Sequence, residues 1–426
     1  IACVSGKVKE VSKVAGEYHY YTLGMQMKDK MVSCPVMNVE GQVFGIAQKS
    51  SGLDTVTTCY AAGAAFAMAQ KISALSLGDA ALKSIGIRKG LPDTEEQALV
   101  YLFMASSSLS SEDYGKLLDD FIRQFPANTD GYLRRANYYV AKAKDNQSWF
   151  DKAVVDLNQA LKVAQKKDDV YYNIGKLMYA YQLSKPEKTY KDWTYDTALK
   201  NVRQAFAIDP LPIYVQLEGD ILFAQQDYAG ALSAYEKVNA SNMASAGTFF
   251  SAAKTKELLK AEPKEILVLM DSCISRCPQP ITADFAPYLL ERAQINMNAG
   301  QPRKAMLDYD AYFKAVNGQV NDVFYYYREQ AALKARQYQR ALDDIAKAVE
   351  LNPADLTYQA ENAVVNLRVG RYEKAIEILN GILKNDPKYG EAYRLLGLCQ
   401  VQLKKTDEAC ANFKKAKELG DPNVDE

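Results

Sequence analysis

The chain has 426 residues, 48% hydrophobic and 24% charged, with 52 basic and 52 acidic side chains. Such a balance argues against bulk binding to nucleic acid or to an acidic membrane, leaving only local patches of charge. No apolar run approaches the length of a membrane span. Low-complexity tracts are absent, and Ile1 is not a natural start, so the lack of a signal peptide says nothing about export.

The first ninety residues read as strands. Alternating runs at Gly6–Val11, His19–Met27 and Pro35–Ala47 are separated by turns at Val14–Glu17, Lys28–Lys30 and Glu40-Gly41. The phrase from Ser33-Cys34-Pro35-Val36 through Asn38 and Gly41 to Gly45-Ile46 resembles the nucleophile-loop segment of trypsin-like serine proteases of the HtrA type. Val4-Ser5-Gly6-Lys7-Val8 is similar to the strand upstream of that loop. Ala64–Met68 sits where a further strand of the family follows, and Gln70–Leu75 where its closing helix begins. The resemblance covers about residues 1 to 80 and implies the second half of a protease-like barrel.

The same resemblance implies that this module is catalytically dead, and no catalytic residue is assigned. The nucleophile falls three residues before Pro35, on Val32, and the loop glycines fall on Lys30, Ser33 and Cys34. A one-residue slip offers Ser33, but a serine needs a general base aligned by a third group. In that family the His and Asp come from a first barrel, which would precede residue 1. His19, the only histidine, lies on a predicted strand and reads as a surface or packing residue. By analogy the resemblance suggests an exported, periplasm-like location. The Ala-rich stretch Tyr60–Leu77 and the helix-like Asp79–Ile85 would join this module, residues 1–90, to the remainder of the chain. Gly90-Leu91-Pro92 marks the boundary with residues 91–426.

Seven cysteines, an odd number, exclude a fully paired disulfide framework. Cys273 and Cys277 lie four apart on a predicted helix. With no histidine or further cysteine nearby they make no zinc site, so they read as thiols buried in helix packing. No metal or other cofactor is expected.

From residue 93 onward the period changes to that of helices. Pairs stand at Glu95–Phe125, Asp130–Ala164 and Val170–Pro210, the last with an insertion at Ser184–Thr194 carrying Pro186, Lys188, Tyr190 and Trp193. Further pairs stand at Ile213–Val238, Thr248–Cys277 and Pro287–Val316, then three regular copies begin at Asp322, Leu356 and Gly390. Ala305, Ala341, Ala375 and Ala409 stand 36, 34 and 34 residues apart. Seven residues on in the regular copies stand Ala348, Ile382 and Ala416, and between the columns stand Ile345, Leu379 and Phe413. Gly175, Gly219, Ala293, Ala363 and Gly397 mark a small site in the first helices. Antiparallel helices approach closely only where side chains are small, and Pro353, Pro387 and Pro422 stop each copy.

A period of 34 with small residues at helix contacts resembles the tetratricopeptide repeat. It implies a mainly α fold, a solenoid built as a right-handed superhelix of about eight helix pairs, behind the small β-rich module. In such arrays the first helices line a concave face that binds protein or peptide. With the small site as ruler, inward positions are Leu133, Asn137 and Val140; Tyr172, Lys176 and Tyr179; Gln216, Asp220 and Phe223; and Leu290, Gln294 and Met297. The regular copies add Tyr326, Gln330, Leu333, Val364, Leu367, Arg368, Arg394 and Leu398.

Members of the family that bind acidic chaperone tails use a clamp of Lys and Asn, then Asn, then Lys and Arg. Asn137 and Asn173 fit its asparagine sites, but Leu133, Ile213 and Leu217 occupy the cationic ones, so charge recognition is lost. The sequence therefore points to a non-enzymatic scaffold for a protein or peptide. The alternative is the C-terminal part of a serine protease whose repeats recruit substrate or regulate activity. Self-association through terminal repeats is a further expectation, because the last pair lacks an obvious capping helix.

Overall fold

The computed structural model describes residues 3–14, 16–48, 58–69, 90–143 and 146–424. The chain divides into two compact units, Ile1–Gln165 and Lys166–Glu426. The first begins with strands β1 (Lys7–Val14), β2 (Tyr18–Gly24), β3 (Pro35–Met37), β4 (Val43–Gln48) and β5 (Cys59–Gly63), then helix α1 (Ala64–Ala69). All pairings are antiparallel, in the order β1-β2-β5-β4-β3. The run Pro35–Ala47 forms a hairpin that turns at Glu40-Gly41 as expected, because Asn38 accepts the backbone N–H groups of Glu40 and Gln42 and Gly41 takes a positive φ.

The β-rich module is thus an open sheet. Among the described residues it does not close into a barrel: β1 is exposed along its whole length and β3, at the other edge, has three residues. Its core is small, with Leu23, Cys59 and Ala61 under Tyr21, Met25 and Val36. Ala64–Met68, expected as a strand, is helical, as four alanines in six residues favour. The expected segments Gln70–Leu75 and Asp79–Ile85 lie outside the described residues.

Helices α2 (Glu95–Ser108), α3 (Ser111–Gln124), α4 (Thr129–Ala143) and α5 (Gln147–Val163) complete the first unit. The second holds α6 (Asp168–Leu183), α7 (Tyr195–Ile208), α8 (Pro212–Ala224), α9 (Tyr228–Asn239), α10 (Ala246–Leu258), α11 (Pro263–Ser275) and α12 (Pro287–Asn298). It continues with α13 (Pro302–Ala315), α14 (Asp322–Lys334), α15 (Tyr338–Leu351), α16 (Leu356–Arg368), α17 (Tyr372–Asn385), α18 (Gly390–Gln402) and α19 (Thr406–Glu418). These make nine antiparallel pairs among the described residues, one more than the sequence count of about eight. The irregular stretches expected at Glu95–Phe125 and Thr248–Cys277 both form pairs, α2–α3 and α10–α11. Among the described residues, no helix is long and apolar enough to cross a membrane.

The columns read from the sequence are the core. Ala305, Ala341, Ala375 and Ala409, then Ala348, Ile382 and Ala416, are all buried, with Ile345 and Leu379 between them. The small site holds the two helices of a pair together. A Cβ added at Gly175 would lie 2.6 Å from Val202 Cγ2 and 2.9 Å from the Ala198 carbonyl oxygen. One turn type recurs in the last six pairs. A residue of positive φ (Gln226, Lys260, Gly300, Arg336, Gly370, Lys404) ends the first helix. The next backbone N–H then reaches back over the last turn, as from Asp227 to Leu222 and from Lys405 to Gln400. This left-handed cap satisfies the orphan carbonyls of the helix end and reverses the chain.

The insertion between α6 and α7 is ordered by its aromatic residues. Tyr190 and Trp193 are buried, their rings at right angles to each other 5.5 Å apart, and Tyr181 meets Trp193 edge-on at 5.6 Å. The Tyr181 hydroxyl donates to the Lys188 carbonyl and accepts from the Tyr190 N–H. Cys273 and Cys277 are packed thiols, as expected, and burial pushes the Cys273 thiol up to about 12.

Candidate functional site

The second unit carries a cleft of about 840 Å3 between α12 and α14. Leu290, Glu291 and Gln294 of α12 form one wall, and Val323, Phe324 and Tyr327 of α14 the other. Tyr309 and Tyr312 of α13 form the floor, and Gln319, Val320 and Asn321 close the end. Asn321 sets the start of α14 by accepting the Phe324 N–H at 3.1 Å. That fixes Phe324, which is buried against Tyr309 (5.8 Å, edge-on) and Tyr312 (5.4 Å, stacked). Burial pushes the Tyr309 hydroxyl up to about 12. Above this rigid floor Tyr327 and Val323 stay 49% and 42% exposed. Glu291 is half-exposed and meets Lys254 at 3.3 Å. The result is an aromatic cleft with side-chain amides at its rim.

One copy further on, the small site is broken. The column of Ala293, Ala363 and Gly397 places position 329 at the same point of α14, and the residue there is Glu329. Its carboxyl is fully buried: Oε2 accepts from Gln330 Nε2 at 2.9 Å, and Oε1 has no partner. Burial first, then the nearby Glu361 charge, push its pKa up to about 9, so it is neutral at pH 7. The Glu361 carboxyl is likewise held above the usual range, mainly by burial, with the Gln330 side chain opposing the shift. Glu329 was missed in reading the sequence, although the 34-residue period carried the signal: an acid in a column of Ala and Gly.

The sequence-predicted residues fall in distinct environments. Gln294 lines the cleft, exposed, with Nε2 3.3 Å from Asn298 Oδ1. Tyr326 packs on Tyr358 of α16 at 5.2 Å, and Gln330 donates to the buried Glu329. Arg368 is exposed at the end of α16. Arg394 is engaged, donating to Asp421 and to Glu391. In the α6–α9 region Tyr172 packs on Tyr214 (5.1 Å), Tyr179 on Tyr195 (6.2 Å) and Phe223 on Tyr228 (5.5 Å). Lys176 is exposed with its ammonium 5.9 Å from the Tyr172 ring, and Gln216 is half-buried. In the first unit Asn137 is exposed and donates to the Leu133 carbonyl. In the sheet, His19 is exposed with its ring 6.2 Å from that of Tyr21, and Ser33 sits in a turn at positive φ.

Stacked helix hairpins with alanine and glycine columns at a spacing of 34 define a tetratricopeptide array. Residues 332–399 and 390–419 match tetratricopeptide repeat family models. Over 92 residues the chain is 32% identical to small glutamine-rich tetratricopeptide repeat-containing protein 2 of Mycosarcoma maydis, covering 22% of this chain and 26% of that protein. Over 101 residues it is 31% identical to heat shock protein STI1 of Saccharomyces cerevisiae, covering 23% of this chain and 17% of that one. The chain therefore spans about a quarter or less of the length of these curated relatives. Among solved structures, the C-terminal part of a tetratricopeptide repeat-containing protein from Cytophaga hutchinsonii is similar at 17% identity and TM-score 0.43, covering 61% of this chain and 99% of that one.

Proposed function

We propose that this protein is a non-enzymatic interaction scaffold. It holds a segment of a partner protein along the first helices of the second unit, with an apolar side chain seated in the cleft between α12 and α14. The observation that carries this reading is the cleft itself: an aromatic floor fixed by packing, beneath Tyr327 and Val323 left open to water. Clefts of this volume, mostly apolar with a few convergent polar groups, suit one or two large side chains. Central aromatic anchors of this kind dominate binding energy where they are fully desolvated. Gln294, Gln319 and Asn321 at the rim can bond the backbone of an extended segment.

The test is selection of a random peptide display library on the full chain. Peptides retained by the parent and lost by a Leu290→Asp, Tyr327→Ala variant of unchanged thermal transition support the reading. Equal retention by both would sink the cleft assignment.

A further inference from the structure

We propose that the partner segment presents a lysine or arginine to a receptor formed between α14 and α16 by Glu361, Gln330 and Glu329. This inference rests on the scaffold reading above and names the chemistry of its partner.

Asp156, Asp308 and Asp344 are each gripped by an arginine of the same helix pair, and Asp168 lies 3.6 Å from Lys166. Glu329 is at least as buried as any of them and has no cation. Glu361, half-buried on the neighbouring first helix, has no ion pair among the described residues. Arg368, exposed at the end of α16, acts on Glu361 through its charge without bonding it, and the Glu391 charge acts in the opposite direction. Gln330 donates to Glu329 Oε2 at 2.9 Å and also lowers the Glu361 pKa, yet Glu329 Oε1 stays unbonded. A buried acceptor without a donor is costly unless something supplies one.

The missing group is a cation that arrives with the ligand. An ammonium or guanidinium set against the half-buried Glu361 makes a charge-assisted bond, stronger than one between neutral groups. The paired rings of Tyr326 and Tyr358 give the aliphatic stem of a lysine or arginine a wall to lie on. Glu329 then loses the proton that burial and the Glu361 charge make it keep, because a nearby cation favours the ionised form. Binding should therefore release a proton at pH 7 to 8. The receptor lies on first helices α14 and α16, and the cleft on α12 and α14, so α14 contributes to both. An apolar anchor and a basic residue would thus be read on neighbouring copies of the repeat.

The experiment uses the same peptide display on the full chain, with Glu361→Gln, Glu361→Lys and Glu329→Gln variants. Peptides selected by the parent should carry Lys or Arg at one fixed position. Changing that residue to Gln should weaken binding about tenfold, a difference of about 1.4 kcal/mol. Glu361→Gln should lose the preference, and Glu361→Lys should turn it toward Asp and Glu at the same position. Glu329→Gln, read at peptide concentrations that saturate the variant, should abolish the buffer-dependent heat that reports proton release. Peptides recovered without a basic position, or a basic preference unchanged in Glu361→Gln and Glu361→Lys, would overturn this receptor and leave the scaffold reading standing. Failure of the parent to retain any peptide would overturn both.

Discussion

Arg328 grips the Asp344 carboxylate with two bonds, Nε to Oδ2 at 2.9 Å and Nη2 to Oδ1 at 2.6 Å. The relationship recurs at Arg292–Asp308 and Arg135–Asp156. Each arginine stands one residue before the small site, and each aspartate three residues after the first alanine of the second helix. The remaining nitrogen of each guanidinium turns to an aspartate of the preceding pair: Asp310, Asp271 or Asp119. One side chain thus ties both helices of its own pair to the pair before it.

Removing one member of such a pair strands the other. Asp344→Ala should destabilise the second unit by about 3 kcal/mol, because the Arg328 charge stays largely out of water. The combined Arg328→Met, Asp344→Leu variant should recover most of that loss. Denaturant unfolding of the two variants beside the parent checks both; a large loss in the double variant would mean that the pair is net stabilising.

Glu329 makes stability depend on pH in a set direction. Its folded pKa, about 9, lies above the usual carboxylate value of about 4.3, so between these limits the folded state binds the proton that the unfolded state has lost. Its contribution is complete below about pH 4 and declines as pH rises toward 9. Glu361 and Asp344, the acids around it, reinforce the effect, and Gln330 opposes it. Glu329→Gln should flatten this slope and be more stable than the parent at pH 8 by about 2 kcal/mol. Thermal transitions measured from pH 4 to 9 decide this, and parallel curves for the two proteins would contradict it.

Two glycines in helices should respond oppositely to alanine. At Gly175 a methyl group meets the Ala198 carbonyl oxygen at 2.9 Å, and backbone cannot step aside cheaply, so Gly175→Ala should cost about 1 to 3 kcal/mol. At Gly381 in α17 the same methyl meets nothing within 4 Å, so Gly381→Ala should gain about 1 kcal/mol from helix propensity alone. The pair is read by comparing midpoints of unfolding.

The α6–α7 insertion should open when its central hydroxyl is removed. Tyr181→Phe leaves the Tyr190 N–H and the Lys188 carbonyl without the partner that joins them, at a cost of about 1 to 3 kcal/mol. Trypsin should then cut at Lys188 or Lys191 well before the rest of the chain is digested. Unchanged cleavage kinetics would show that Trp193 and Tyr190 hold the segment without that hydroxyl.

The sequence by itself determined the repeat. Ala341, Ala375 and Ala409 carry the information locally: a small residue at fixed spacing admits a neighbouring helix and excludes other packings, and the prolines after α15 and α17 end each copy. The strands of residues 7–48 were legible for the same reason, since alternation is a short-range pattern. Tyr326 and Gln330 were also placed on the proper helix, by counting from the small site. What their side chains meet was not legible. Only the tertiary structure decided that Arg394 is occupied by Asp421, that Tyr190 and Trp193 fold inward, and that α12 leaves a cleft against the rings of α13 and α14. It alone decided that Glu329 is buried without a cation while Asp344, fifteen residues on, has one. The physical reason is that periodicity sets where helices meet, whereas the cost of a buried charge depends on whichever groups the meeting brings within bonding distance.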